Sequence, residues 1–453
     1  MKAATRSFTT GAILPQLVSF AVPTFLAMML QTLYGTVDVL VIGNFGSTAG
    51  VSAVSTGSQI LSLATFLISG FTTASTVLIG QYLGAGDDKN VSRVIGGSIP
   101  VFGVISAFFA VLMVLIHPML LTALNIPTEA MAQARIYTLI CSCGIPLIVG
   151  YNAVCAILRG MGDSKSPLVF VSIACVVNII GDLLLTGWLG MGAAGVAVAT
   201  VTAQGVSFAI SLLYLLRKGI GVPFHKSDIR FEAKLTRKLF QLGVPMAVQS
   251  IMINLSFLFI TSIINAMGVT ASAAMGVGDK ITCFAFLPQS AFSQGVQVFA
   301  AQNMGAGKPE RALKGMWLSA CVTTVWGLVF FGICNLWPAM LPGLFSTDAQ
   351  VIAMTGQYVS AYSFDTVLTC LIFCMNGLLA GCGCAGFSMT ANLLASFGVR
   401  IPATWLLSRM ADVTLFHIGL AAPAASAVQI VITLLYFRTG RWKKNTISAA
   451  VPD

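Results

Sequence analysis

Charge is what this chain lacks. Of its 453 residues only 8% are Asp, Glu, Lys or Arg, while 57% are hydrophobic, and the mean hydropathy is +0.91. A soluble domain carries roughly a quarter charged residues, so this shortage excludes a soluble fold. Histidine is scarce too. His117, His225 and His417 all fall in loops or at the ends of apolar runs, and no HExxH, GxSxG or Walker-type motif occurs, so no enzyme is expected. The eleven cysteines form no metal-ligand framework. The nearest sets are Cys370 with Cys374 and Cys382 with Cys384, and inside membrane helices a free Cys acts as a small apolar residue. Short alternating strands are missing as well, which excludes a barrel.

What the chain has instead is apolar runs of the length that crosses a bilayer, about twenty residues each. Backbone groups at that depth must pair internally, and such lengths suit helices. Spans are read near 13–38, 49–75, 92–116, 130–157, 166–187, 194–216, 237–263, 272–300, 314–340, 351–379, 388–409 and 415–437. The fold class is thus an all-α polytopic membrane protein of twelve transmembrane helices, with both termini on one side.

The net charge of +10 invites a nucleic-acid reading, but its distribution argues otherwise. With the N-terminus inside, the cytoplasmic segments hold Lys2, Arg6, Lys89, Arg93, Arg159, Lys165, Lys308, Arg311 and Lys314. They also hold seven basic residues of 217–238, and Arg438, Arg441, Lys443 and Lys444. Together these are 20 of the 24 Lys and Arg, as the positive-inside rule expects. The expectation is a plasma-membrane protein with cytoplasmic termini, in contact with lipid, monomeric, and with no nucleic-acid partner and no cofactor beyond a coupling ion.

The chain repeats itself. "LIGQYLGAGDDKNVSR" (78–93) and "FAAQNMGAGKPERALK" (299–314) share Gln-x-x-Gly-Ala-Gly at an offset of 221. "ILRGMGDSKSP" matches "LLAGCGCAGFS" at the same offset, and Pro23 corresponds to Pro245. The domains read as 1–216, a six-helix bundle; 217–238, a basic linker; and 239–453, a second bundle with a short tail. Six is even, so the repeats are parallel, an arrangement found among transporters. The first span has a counterpart in the seventh and so belongs to the fold, not to a cleaved signal.

These motifs, with "NIIGDLLLTGWLGMGAAGVAVATVTAQ" through the fifth and sixth spans, resemble the MATE (multidrug and toxic compound extrusion) family along nearly the whole chain. The resemblance implies a V-shaped pair of six-helix bundles. It also implies export of organic, often cationic, compounds coupled to inward flow of H+ or Na+.

The repeat supplies an internal control. At the local offset of 222 Asp38 aligns with Ile260, and at 221 Asp182 aligns with Ala403 and Asn178 with Val399. The fold therefore accommodates apolar residues in those places. Gln31, Tyr34 and Asp38 lie at i, i+3 and i+7 on one helical face. Asn178 and Asp182 share a face of the fifth span, Thr200 and Gln204 one of the sixth, and Asn152 is an amide within the fourth. Intramembrane acids generally face a bundle interior or a watery cavity. By resemblance, Asp38, Asn178, Asp182, Thr200 and Asn152 match the family's ion-coupling positions, and Tyr34 stands one turn before the acid. Such a set could take a proton, or hold Na+ at Asp38, Asp182, Asn178 and Thr200, since a hard cation favours oxygen ligands. Gln31, Tyr34, Asp38, Asp182 and Gln204 are the expected substrate contacts. Structural hydrogen bonding is the bland alternative, but interhelical polar contacts average below about 1 kcal/mol, little return for a buried acid.

In the second half Asp279 and Asp365 could form another site, though Asp365 reads as solvated near a span end. Some MATE proteins carry an acid on the seventh helix, and 239–265 here contains none, which favours the first-half site. Arg159 and Asp163 read as a loop anchor. A flippase for a lipid-linked precursor, from the same wider superfamily, is the runner-up. It would need cationic cavity residues, of which Arg400 is the main candidate.

Overall fold

The computed structural model describes residues 7–443 apart from 125, 220 and 411. Lys2, Arg6 and Lys444 of the charge argument lie outside the described residues. Six helices form the first half: α1 Ile13–Phe45, α2 Thr48–Gly84, α3 Asp88–Ala123, α4 Thr128–Gly160, α5 Lys165–Asp182, continued by a π-helical turn Leu183–Trp188, and α6 Gly192–Lys218. The second half repeats the plan with α7 Ala233–Asn265, α8 Val269–Gly305, α9 Pro309–Leu336 and α10 Ala349–Gly381. Its last two are α11, which runs Ala385–Ala395, through a π-helical turn Ser396–Arg400, to Ile401–Leu407, and α12, made of Leu415–Gly419 and Ala421–Arg438. Ten of the described helices are long and apolar enough to cross a membrane. The protein is an integral membrane protein. Where the sequence reads the first span to 38 and the second to 75, the helices run on to Phe45 and Gly84, through residues that are themselves mostly apolar.

The Gly-Ala-Gly motifs are helix stops. The last glycine of each has a positive φ, +72° at Gly86 and +69° at Gly307, a conformation glycine adopts without a Cβ penalty. Each lets the chain close a Schellman-type end: Asp87 N donates to Tyr82 O at 3.0 Å, and Lys308 N to Asn303 O at 2.8 Å. The two copies thus encode the same sharp reversal between second and third helices of each half.

By packing, the chain divides into two compact units. The first is built on Val22–Ala247 and so includes the opening of α7. There the 217–238 linker lies against α2 and α3: Ser92 Oγ on α3 donates to Pro223 O, and Lys238 Nζ donates to Tyr82 OH on α2 at 3.1 Å. The second is built on Phe8–Ala21 and the segment from Val248 onward. The linear division at 216 and 239 contains no hint of this exchange of opening segments.

In the second unit the segment before α1 is held through its main chain. Arg311 donates to Phe8 O at 3.2 Å, Thr10 O at 3.1 Å and Gly11 O at 2.8 Å. Lys308 donates to Thr9 O at 2.9 Å, and Phe8 N donates to Gln302 Oε1 at 2.9 Å. The Phe8 ring is buried between Phe20 and Phe299, at centroid distances of 6.0 and 6.1 Å. Hydrogen bonds from a charged donor contribute about 1.5–3 kcal/mol. Arg311→Ala is therefore expected to lower the thermal unfolding midpoint of the purified protein by several degrees, and Arg311→Lys by less. An unchanged midpoint would mean these bonds only replace solvation.

Candidate functional site

Three helices of the first unit bring the polar stripes together. Asp38 on α1 is 6% exposed, Asn178 and Asp182 on α5 are 1% and 0% exposed, and Thr200 on α6 is 8% exposed. Thr200 Oγ1 donates to Asp38 Oδ2 at 3.4 Å, and Asn178 Nδ2 reaches Thr200 Oγ1 at 3.5 Å. One turn along α1 and α6, Gln204 Nε2 donates to Tyr34 OH at 3.3 Å. The helical spacing that put Tyr34 with Asp38, and Thr200 with Gln204, thus assembles two adjacent rungs.

The carboxyl groups of Asp38 and Asp182 interact directly. Yet Asp38 Oδ1 and both Asp182 oxygens, with Asn178 Oδ1, have no hydrogen-bond donor. The reason is the inventory: ionised carboxylates only accept, so two in contact present oxygens and no proton between them. One retained proton, or one cation among these oxygens, supplies the missing partner. Asp182 is also the last residue of α5 before its π-helical turn, a local widening that frequently marks functional positions.

Beside this pair lies a cavity of about 340 Å³, within the range of small-molecule sites. Gln31, Tyr34, Asp38, Asn152, Thr200 and Gln204 all line it. Asn178 and Asp182 are not among its lining residues; they are buried beside Thr200 and Asp38. Sequence reasoning missed half of the wall: Ser58, Ser62 and Thr65 on α2, and Tyr137 and Tyr151 on α4. The signal was available in their spacing, since 58, 62 and 65 are i, i+4 and i+7. Ser and Thr are so common in this chain, however, that the stripe did not stand out.

The second unit is built differently at the equivalent places. Ile260, the counterpart of Asp38, is 4% exposed in an apolar cluster with Ile264, Phe330, Tyr358 and Tyr362. Asp365 is 4% exposed and accepts from Ser426 Oγ, so the expectation of a solvated Asp365 is corrected: α12 covers it. Asp279 is exposed on α8. Arg400 ends the π-helical turn of α11, lies 4.1 Å from the centre of the Phe257 ring, and reaches Tyr362 OH at 3.4 Å. Asp163 anchors the α4–α5 loop, accepting from Lys165 N, Ser166 N and Ser166 Oγ.

The profile of the MatE family matches residues 23–184 and, a second time, residues 245–406, beginning at the two corresponding prolines. The probable multidrug resistance protein YpnP of Bacillus subtilis (strain 168) is 28% identical over 437 residues, covering 96% of this chain and 97% of its own. The probable multidrug resistance protein NorM of Thermotoga maritima is 23% identical, covering 95% and 94%. Among solved structures, an outward-facing multidrug resistance MATE family transporter of the MOP superfamily aligns with a TM-score of 0.91 at 17% identity, covering 97% of this chain and 98% of that one. A MOP superfamily transporter from Pyrococcus furiosus gives 0.91 at 18%, covering 98% and 100%. At that identity the structural likeness concerns the fold.

Proposed function

From the premise that this chain belongs to the MatE family, we propose that it is an antiporter exporting organic cations in exchange for H+ or Na+, with Asp38 and Asp182 as the exchange site. The names of its relatives, multidrug resistance proteins, support export of varied small organic compounds. The observation that carries the reading is the donorless contact of two carboxyl groups from α1 and α5 beside a cavity. Such a pair is costly inside a membrane protein, and the second half of the chain dispenses with it.

Each residue has a part. Asp38, on the cavity wall, meets the cationic substrate, and Thr200 orients its Oδ2. Asp182 and Asn178, buried beside it, share the proton or complete an oxygen shell for Na+ with Asp38 and Thr200. Substrate and coupling ion compete for the same negative charge. When the ion enters, the pair is neutralised and the substrate loses its counter-charge, so release follows. When the ion leaves, the charge is restored and a new cation is drawn in. Coupling by competition requires the two ligands to lower each other's affinity equally.

Reconstituted protein is the test. Movement of a fluorescent organic cation should be driven by an imposed proton gradient or an imposed Na+ gradient, and the one that drives it identifies the ion. Failure of both would overturn antiport and turn attention to flipping of a lipid-linked precursor.

A further inference from the structure

The 217–238 linker has a seat on the first unit. Its main chain lies directly on α3: a Cβ at Gly96 would collide with Asp228 O, and one at Gly97 would meet Arg230 O at 3.7 Å. One turn earlier on α3, Ser92 Oγ holds Pro223 O. On the linker so held, Ile229 and Phe231 are exposed, with Lys226, Arg230, Lys234 and Arg237 exposed around them.

The repeat shows what this surface faces. At the offset of 221, Gly96 and Gly97 correspond to Trp317 and Leu318 on α9, with Arg93 matched to Lys314 and Ser98 to Ser319. Trp317 and Leu318 are both exposed, two turns into their helix. A Trp at that place, one turn from a Lys, belongs to the boundary between headgroups and acyl chains. In the first half two glycines replace this pair, the linker's main chain fills the space, and Phe231 and Ile229 are the apolar side chains exposed in their stead. They bring cations with them. The segment's two acids, Asp228 and Glu232, leave it strongly basic, and among the described residues none of its four exposed cations is ion-paired.

We infer that the linker is a membrane-interface anchor that binds anionic phospholipid. Phe231 and Ile229 enter the headgroup boundary, and Lys226, Arg230, Lys234 and Arg237 meet the lipid phosphates. Binding of such a segment grows with the apolar area it buries and with its attraction to anionic headgroups. Basic residues held at an anionic surface each add to that attraction, about fivefold in affinity. The glycine seat on α3 fixes the segment at the depth where both contacts are made. The site is separate from the Asp38–Asp182 cavity and does not depend on the transport reading.

The test titrates full-length protein in detergent with phosphatidylglycerol or phosphatidylcholine of identical acyl chains and reads bound lipid by native mass spectrometry. The first phosphatidylglycerol is expected to bind at least about tenfold more tightly than the first phosphatidylcholine. The Arg230→Gln, Lys234→Gln, Arg237→Gln triple variant should bring that ratio close to one. The Lys314→Gln, Arg438→Gln, Arg441→Gln variant removes the same charge from exposed sites of the second unit and should preserve it. A ratio is read within each protein, so partial misfolding does not mimic the effect. Glycerophosphoglycerol, the headgroup without acyl chains, should fail to displace the bound lipid. A parent ratio near one, an unchanged ratio in the linker variant, or equal loss in both variants would each overturn the inference. Displacement by the free headgroup would overturn it too, leaving a site for soluble anions.

Discussion

Asp38→Asn is expected to reduce gradient-driven movement of an organic cation to the level of protein-free liposomes. The substitution keeps the side chain's shape and leaves Thr200 an oxygen to donate to, but it removes the only acid on the cavity wall. It also adds an N–H₂ donor facing Asp182, which at last gives those two orphaned oxygens a partner. The variant should therefore be at least as stable as the parent, because a buried, donorless carboxylate contact is replaced by an amide–carboxylate hydrogen bond. Stability retained with transport lost is the signature of a functional acid. Transport retained would sink the exchange mechanism, and transport lost together with a collapse in thermal stability would return Asp38 to a structural role. Asp182→Asn separates the two acids further. It should abolish coupling as well, while equilibrium binding of the cation in the absence of a gradient persists, since Asp182 is not among the residues lining the cavity. Binding assays on the two variants, side by side, decide this: Asp38→Asn weakens binding at least about tenfold, about 1.4 kcal/mol, and Asp182→Asn weakens it much less.

Gly381→Val is expected to prevent accumulation of folded protein. A Cβ at Gly381 would lie 2.5 Å from Gln297 O and 2.7 Å from Ala300 Cβ, so α10 meets the main chain of α8 with no room for a side chain. The repeat makes the same contact: at Gly160, offset by 221, a Cβ would lie 3.0 Å from Thr76 O and 2.9 Å from Ile79 Cβ. Residues 76 and 297 correspond as 160 and 381 do. Around these glycines the helices are tied by side chains reaching the opposite main chain. Thr76 Oγ1 donates to Ala156 O at 3.0 Å in the first half, and Ser293 Oγ to Phe373 O at 2.7 Å in the second. Overpacking costs about 1–3 kcal/mol where side chains can yield, and carbonyl oxygens of a helix yield less. Detergent-extracted Gly381→Val should elute as aggregate in size-exclusion chromatography. The control is Gly386→Ala, on α11, where a Cβ meets nothing within 4 Å and where the profile should be unchanged. A well-behaved Gly381→Val would show that α8 and α10 can separate without loss of the fold.

The sequence alone determined the class, the twelve spans and the duplication, because hydropathy over twenty residues and a recurring Gln-x-x-Gly-Ala-Gly are properties of the chain itself. It also determined which polar residues share a face, because helical geometry fixes the angle between positions three, four and seven apart. That was enough to group Tyr34 with Asp38, Asn178 with Asp182 and Thr200 with Gln204, and the tertiary structure joins those groups. Depth was another matter. Spacing gives the face of a helix but not what stands against it, so only packing decided that Asp38 lines the cavity while Asp182 is buried outside its lining. For the same reason Asp365, near the end of an apolar run, read as solvated and is covered by α12. The exchange of opening segments between the two units, and the spending of hydroxyl protons on main-chain carbonyls, depend on contacts between residues distant in sequence or on rotamers. Neither leaves a mark in composition or periodicity.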